Sequence, residues 1–235
     1  MKTVILVPYR SDDGGRRDKL WDYTRDWLSE HHSGWPIYVG ESPEGPFNRG
    51  AAINDAARKA DEHFERWDVA VVSDADNICD PMTLRRAVRR ANQFGGCVFP
   101  FDTYMYLDER SSRLLVENDR WFVAPVRQRW GIIPEHCSGI QAISRIAYDK
   151  VGGFPELQGW GHEDLVMSTM LKAFASHYEH LRGSAYHLYH GDGHDDPERQ
   201  KYGEINRQIL SDVMALAMLP DQLREYLRAG GHLIP

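Results

Sequence analysis

Two rhythms of apolar and polar positions alternate along the first hundred residues. Short continuous apolar runs occur at TVILVPY (3–9), PIYVGES (36–42), DVAVVSDAD (68–76) and GGCVFPFD (95–102). Such runs read as strands buried on both faces. Between them lie longer segments with helical spacing. DKLWDYTRDWLSEHH (18–32) places Leu20, Tyr23, Trp27 and Leu28 on one side, AAINDAARKADEHFERW (51–67) is rich in alanine, and MTLRRAVRRANQF (82–94) follows the third run. Strands alternating with helices predict an α/β fold with a mostly parallel sheet and helices on both faces. Right-handed crossovers then bring the strand C-termini to one edge, where ligands bind in open sheets. Tyr9-Arg10, Glu41-Ser42 and Asp74-Asp76 fall at that edge.

The second half is less regular. Residues 103–137 hold aromatics and arginines without a clear period. SGIQAISR (138–145) predicts a strand, EDLVMSTMLKAFASH (163–177) a helix, SAYHLYH (184–190) a strand, and the remainder one or two helices. No internal repeat, low-complexity tract or linker interrupts the chain, which predicts a single domain over 1–235.

Composition narrows the function classes. The 235 residues carry 35 acids against 28 bases, a net charge of −7. That balance argues against nonspecific nucleic-acid binding as the main task and leaves room for a local basic patch. Cys79, Cys97 and Cys137 are odd in number and widely spaced, so they predict neither a disulfide framework nor a zinc site, but reduced thiols. The N-terminal apolar stretch spans only Val4 to Pro8, with no small-residue cleavage site after it, and so does not read as a signal peptide. No segment approaches the roughly 18 apolar residues of a membrane span. The expected location is the cytoplasm.

Four stretches carry candidate chemistry. VVSDADN (71–77) ends a buried strand with Asp74 and Asp76 two residues apart. In an extended segment they point the same way, and paired hard oxygens suit Mg²⁺ or Mn²⁺ carrying a diphosphate; a polar turn is the plainer alternative. YHLYHGDGH (186–194) offers His187, His190 and His194. His187 and His190 can serve one metal only if the strand ends between them, since in a continuous strand they face opposite sides. GWGHEDL (159–165) opens a helix with Glu163 and Asp164, where acids also stabilise the helix N-terminus and the ionised form. Capping does not account for Gly159-Trp160-Gly161 in front, which reads as a mobile loop able to lay an aromatic face over a ligand. PFNRGAAIN (46–54) puts Asn48 and Arg49 at a helix start, either as an anion site or as a cap and a surface arginine. RRAVRR (85–90) reads as a solvated helix face.

Taken together and in order, these segments resemble the metal-dependent glycosyltransferases of the GT-A fold, and among them the β-1,4-galactosyltransferase family with its bacterial and viral relatives. Pro8-Tyr9-Arg10 resembles that family's Pro-Phe-Arg. FNRGAAIN is similar to its Phe-Asn-Arg-x-x-x-x-Asn, and SDADNICD to its Ser-Asp-Val-Asp segment. SGIQAISRIAYDKVGGFPELQGWGHEDL resembles its Gly-Gly-x-x-Ala-Leu-Ser, Asn-Gly-Phe-Pro and Gly-Trp-Gly-Gly-Glu-Asp-Asp block, and HLYH sits at its Met-x-x-His.

The resemblance implies a nucleotide-binding half over 1–102, an acceptor and catalytic half over 103–195, and C-terminal helices over 196–235. It implies that Pro8, Arg10, Phe47 and Arg49 hold the nucleotide of a donor such as a UDP-sugar. Asp74 lies near the ribose and metal. Asp76 and His190 bind Mn²⁺ or Mg²⁺, and His187, at the family's methionine position, adds a third candidate ligand. Trp160 touches donor and acceptor, Glu163 contacts the donor sugar, and Asp164 is the base. A carboxylate there removes the acceptor hydroxyl proton as the oxygen attacks the anomeric carbon, with inversion. Leu165 and His162 depart from the family's acid and glycine. The acceptor is a glycan, a protein or another hydroxyl, nucleic acid included. Alternatives are a retaining GT-A transferase, a sugar nucleotidyltransferase and a non-catalytic carbohydrate-binding module.

Overall fold

The computed structural model describes residues 1–118, 137–159, 161–191 and 197–233. In chain order the elements are β1 (Thr3–Pro8), α1 (Arg16–His31), β2 (Ile37–Gly40), α2 (Arg49–Phe64), β3 (Val69–Ser73), β4 (Asn77–Cys79), α3 (Pro81–Phe94), β5 (Cys97–Phe99) and β6 (Thr103–Tyr106). They continue with α4 (Glu109–Asn118), β7 (Ile140–Ser144), α5 (Arg145–Val151), α6 (Glu163–Phe174), β8 (Tyr178–His180), β9 (Ser184–His187), α7 (Pro197–Leu216) and α8 (Pro220–Ala229).

The fold is a single α/β domain around a six-stranded sheet of order β2-β1-β3-β7-β5-β8. Val4 to Val7 of β1 and Val69 to Val72 of β3 are fully buried. Each such aliphatic side chain contributes roughly 1.5–3 kcal/mol by leaving water. The expectation of a mostly parallel sheet holds: β1 pairs in parallel with β2 and β3, and β5 with β8. One strand in the middle departs from it. β7 lies between β3 and β5 and is antiparallel to both, so the sheet is mixed. A buried apolar run is silent about strand direction, and the chain leaves β5 through further elements before returning as β7.

Local chemistry sets the element ends. Asp80 caps α3 by accepting from the Thr83 N–H, Pro81 fits the first turn, and Gly95 closes the helix in the left-handed conformation. Gly40 ends β2 where α2 crosses: a Cβ there would lie 1.8 Å from the Ala52 carbonyl oxygen. Only glycine permits that strand and helix to come so close.

A second sheet of order β4-β9-β6 begins at the edge where β3 ends, since β4 opens at Asn77 just after Ser73. Its register opposes Asn77 to His187, and Tyr106 to His187 from the other side. Antiparallel β7 begins at this same edge, fastened by the Asp74 N–H donating to the Gly139 carbonyl at 2.7 Å. Among the described residues no helix is long and apolar enough to cross a membrane, and all three cysteines are free and buried.

Candidate functional site

β9 ends at His187, and the chain leaves the strand before His190. That break lets both imidazoles reach the same point. His187 Nε2 lies 3.8 Å and His190 Nε2 3.4 Å from Asp76 Oδ2, with ring centroids 5.0 Å apart. One donor atom from each of the three falls within 4.8 Å of the others. The Leu188 N–H donates to the Asp76 carbonyl at 2.8 Å, so backbone pairing holds the two segments together. One carboxylate oxygen with two imidazole nitrogens fits a divalent cation of borderline hardness such as Mn²⁺, and suits Mg²⁺ less well. Burial, the larger influence, lowers the His190 pKa, with Asp76 acting against it. His194 lies outside the described residues.

Asp74 and Asp76 do not share one side of an extended segment. β3 stops at Ser73, and the Asn77 N–H closes a turn onto the Asp74 carbonyl at 3.3 Å. The two carboxylates therefore diverge. Asp76 faces the histidines, whereas Asp74 accepts from Arg49 Nε at 2.8 Å.

Arg49 occupies the centre of the site. Asn48 is the N-cap of α2, accepting from the Ala51 N–H at 2.9 Å, and Arg49 opens the helix behind it. Its Nη1 donates to Asp164 Oδ1 at 2.9 Å, so one guanidinium spans both acids. Burial alone would lower the Arg49 pKa, but Asp74 and Asp164 together raise it. Asp164 departs from the helix-terminus expectation. Burial lifts its pKa well above the usual carboxylate range; Arg49 opposes that shift, while Glu163 and Asp74 add to it. Arg49 therefore favours the ionised carboxylate but offsets only part of the effect of burial.

Arg10 and Phe47 come together at the adjoining corner of the same edge, away from this pair. Arg10 donates to the Gly45 and Pro43 carbonyls and to Ser42 Oγ at 2.7–2.8 Å, with its guanidinium 5.4 Å from the Phe47 ring centre. Pro8, at the end of β1, is in register with Gly40. Arg10 thus orders the loop around residues 42–47.

Residues 11–152, more than half of the chain, match the sequence profile described as Glycosyl transferase family 2. The chain belongs to glycosyl transferase family 2. No curated protein matches it in sequence. Among solved structures, the catalytic domain of Drosophila beta1,4galactosyltransferase 7 in complex with xylobiose is 14% identical, with a TM-score of 0.56, over 85% of this chain and 78% of that one. S. aureus TarS 1-349 in complex with UDP-GlcNAc is 12% identical with a TM-score of 0.53, over 97% and 70%. Glucosyl-3-phosphoglycerate synthase from Mycobacterium tuberculosis, in complex with Mn²⁺, UDP and phosphoglyceric acid, is 15% identical with a TM-score of 0.52, over 93% and 79%. These likenesses establish the GT-A fold of the family 2 chain.

The segment before α6 adopts backbone conformations that favour glycine. Gly159 and Gly161 both have positive φ, and a Cβ on Gly159 would meet the Tyr202 side chain of α7 at 2.5 Å. The Asn206 side chain, buried on the same helix, donates to the Gln158 carbonyl at 3.2 Å. His162 has φ 67°, a conformation that favours glycine, the residue found there in the similar family. Glu163 turns back to accept from the Gly161 N–H at 2.8 Å. Trp160, expected to cover the sugar, lies outside the described residues.

Several residues at the site were not anticipated. Tyr106 packs against His187 with tilted rings 4.9 Å apart, and its pKa is raised by burial and then by Asp164, Asp74 and Asp76. Tyr104 donates to Asn77 Oδ1 at 2.5 Å behind it. Cys137 Sγ donates to the Asp164 carbonyl at 2.8 Å. The period-two aromatics of TYMY were a usable strand signal. Nothing in the sequence marked Cys137.

Proposed function

We propose that this family 2 chain is a metal-assisted hexosyltransferase that moves a sugar from a nucleoside-diphosphate donor, a UDP-sugar, to an acceptor hydroxyl with inversion. The observation that carries the reading is Arg49, which ties Asp164 to Asp74 two residues from the Asp76, His187 and His190 cluster. A cation-holding group and an acid suited to act as a base then face one edge. In such an active site the carboxylate must reach the acceptor proton, and the leaving group must shed negative charge.

Asp76, His187 and His190 would hold Mn²⁺, which when bound offsets the charge of the departing diphosphate. Asp164 Oδ accepts the acceptor hydroxyl proton as its oxygen attacks the anomeric carbon. Arg49 favours the ionised form of Asp164 against the effect of its burial. Arg10 and Phe47 shape the nucleotide end, and Glu163 contacts the donor sugar. Binding of substrate excludes water and limits donor hydrolysis.

A panel of nucleotide sugars with Mn²⁺, scored for donor hydrolysis and thermal stabilisation, tests the donor class. NMR of the product anomer tests inversion. No stabilisation and no hydrolysis with any nucleotide sugar would overturn the proposal, and a retained anomer would overturn the single displacement.

A further inference from the structure

A second concavity lies away from Asp164, along the outer edge of the main sheet. Its volume is about 510 Å³, and it runs between α1 and the edge strand β2. Trp21, Arg25 and Ser29 of α1 line one wall at successive turns of the helix, and Ser33, Trp35 and Ile37 line the other. Size alone says only that a ligand of several rings fits. The lining chemistry is more specific.

Trp35 is a braced aromatic surface. His32 stacks on it with centroids 4.4 Å apart and planes 8° from parallel, and Trp27 packs edge-on against His32 at 5.8 Å. Trp21 is set against Tyr9 at 5.6 Å. Trp35, half-buried and braced by His32, therefore offers an aromatic surface without having to be ordered on binding, which limits the entropic cost of association. The largely buried Trp21 exposes only an edge to the groove.

The charge in the groove is neutralised. Arg25 is the one charged residue in its lining, and it pairs with Asp22 at 3.1 Å and Asp26 at 3.3 Å. An anion would compete with two carboxylates already in place, and a cation would meet no acid in the lining. Serine hydroxyls, a guanidinium and indole rings fit a neutral ligand with apolar faces and many hydroxyls. We propose that this groove is a docking site for a neutral oligosaccharide, holding sugar units remote from the reacting one. The docking chemistry stands on the groove; only the assignment of the bound chain as an acceptor rests on the transfer reading.

The test is a titration of the full chain with neutral hexose and N-acetylhexosamine oligosaccharides of several lengths, in EDTA and without nucleotide sugar. Indole N–H resonances are followed by NMR, with assignment from Trp35→Phe and Trp21→Phe. The expected result is a saturable shift of the Trp35 and Trp21 signals by at least one of the oligosaccharides. Trp35→Ala should weaken that binding at least tenfold and leave UDP binding unchanged. Ser33→Arg, an exposed change that blocks the groove, should do the same if Trp35→Ala folds poorly. The proposal is overturned if no oligosaccharide shifts either indole, or if the shifts survive Ser33→Arg. It is equally overturned if the indoles respond only to protein concentration, which would mark the β2 edge as a contact between copies. Sugar binding here with no nucleotide-sugar activity would leave this inference standing and sink the transfer reading alone.

Discussion

Arg49 and Asp164, 115 positions apart in the chain, meet through a single bond of 2.9 Å from guanidinium to carboxylate. The pairing gives the candidate base a partner that opposes the effect of its own burial. A charge-assisted bond of this kind contributes about 1.5–3 kcal/mol. Arg49→Gln should therefore lower kcat/KM by roughly tenfold to a hundredfold. It should also move the ascending limb of the pH–rate profile to higher pH, because loss of Arg49 leaves the effect of burial on Asp164 unopposed. An unaltered profile would mean that Arg49 only fastens α2 to α6.

Asp164→Asn keeps the shape of the side chain and removes its capacity to take a proton. Transfer should fall to background while UDP and donor binding stay within about twofold of the parent. Calorimetry of UDP binding beside single-turnover transfer separates the two. Retained transfer would remove Asp164 from the base role.

Removal of the cation should be as damaging as removal of its ligands. EDTA should abolish turnover, and Mn²⁺ should restore it better than Mg²⁺, given two imidazoles in the donor set. Asp76→Ala and His190→Ala should each weaken Mn²⁺ binding at least tenfold, read directly by electron paramagnetic resonance of free Mn²⁺. Full activity in EDTA would refute the metal reading.

His32 should make stability depend on pH. It is buried, neither ring nitrogen has a hydrogen-bond partner, and its pKa is lowered to about 4, by burial first and then by Arg85 and His31. The unfolded chain takes up that proton near the ordinary histidine value of about 6.5, the folded chain only near 4. Stability is therefore intact above pH 6.5 and falls on acidification through that window, by up to about 3 kcal/mol. His32→Phe, which preserves a flat ring against Trp35, should flatten this part of the curve. Urea unfolding at pH 7.5 and pH 4.5 measures the difference.

Much of the fold could be read from the sequence because apolar runs and helical spacing are local signals. β1, α1, β2, α2, β3 and α3 all appear within a few residues of their predicted bounds. Strand direction is not local, so β7 was expected as a strand but its antiparallel pairing was not. The short β4 and β8, of three residues each, fall below the length at which alternation can be recognised. At the site, the strand break after His187 was the condition under which the two histidines could meet, and the break is present. The divergence of Asp74 from Asp76 was unreadable because a turn and an extended segment are equally open to Ser-Asp-Ala-Asp. Likewise, an arginine at a helix start gives no sign that its partner lies in another helix more than a hundred residues away.

The placement of β7 between β3 and β5 has a kinetic consequence. The first half of the chain can build β1, β2 and β3 from neighbouring segments, but the middle of the sheet must wait for residues 140–144 to return. Loop closure over such separations is slow, and chains of this length pass through partly assembled states. Arg49 and Asp74 come from the early portion, whereas Asp164, His187 and His190 arrive only after β7 has closed the gap. Refolding should thus bury the β1 and β3 core first and gain cation binding and transfer later, with the interval between them timing the insertion of one strand.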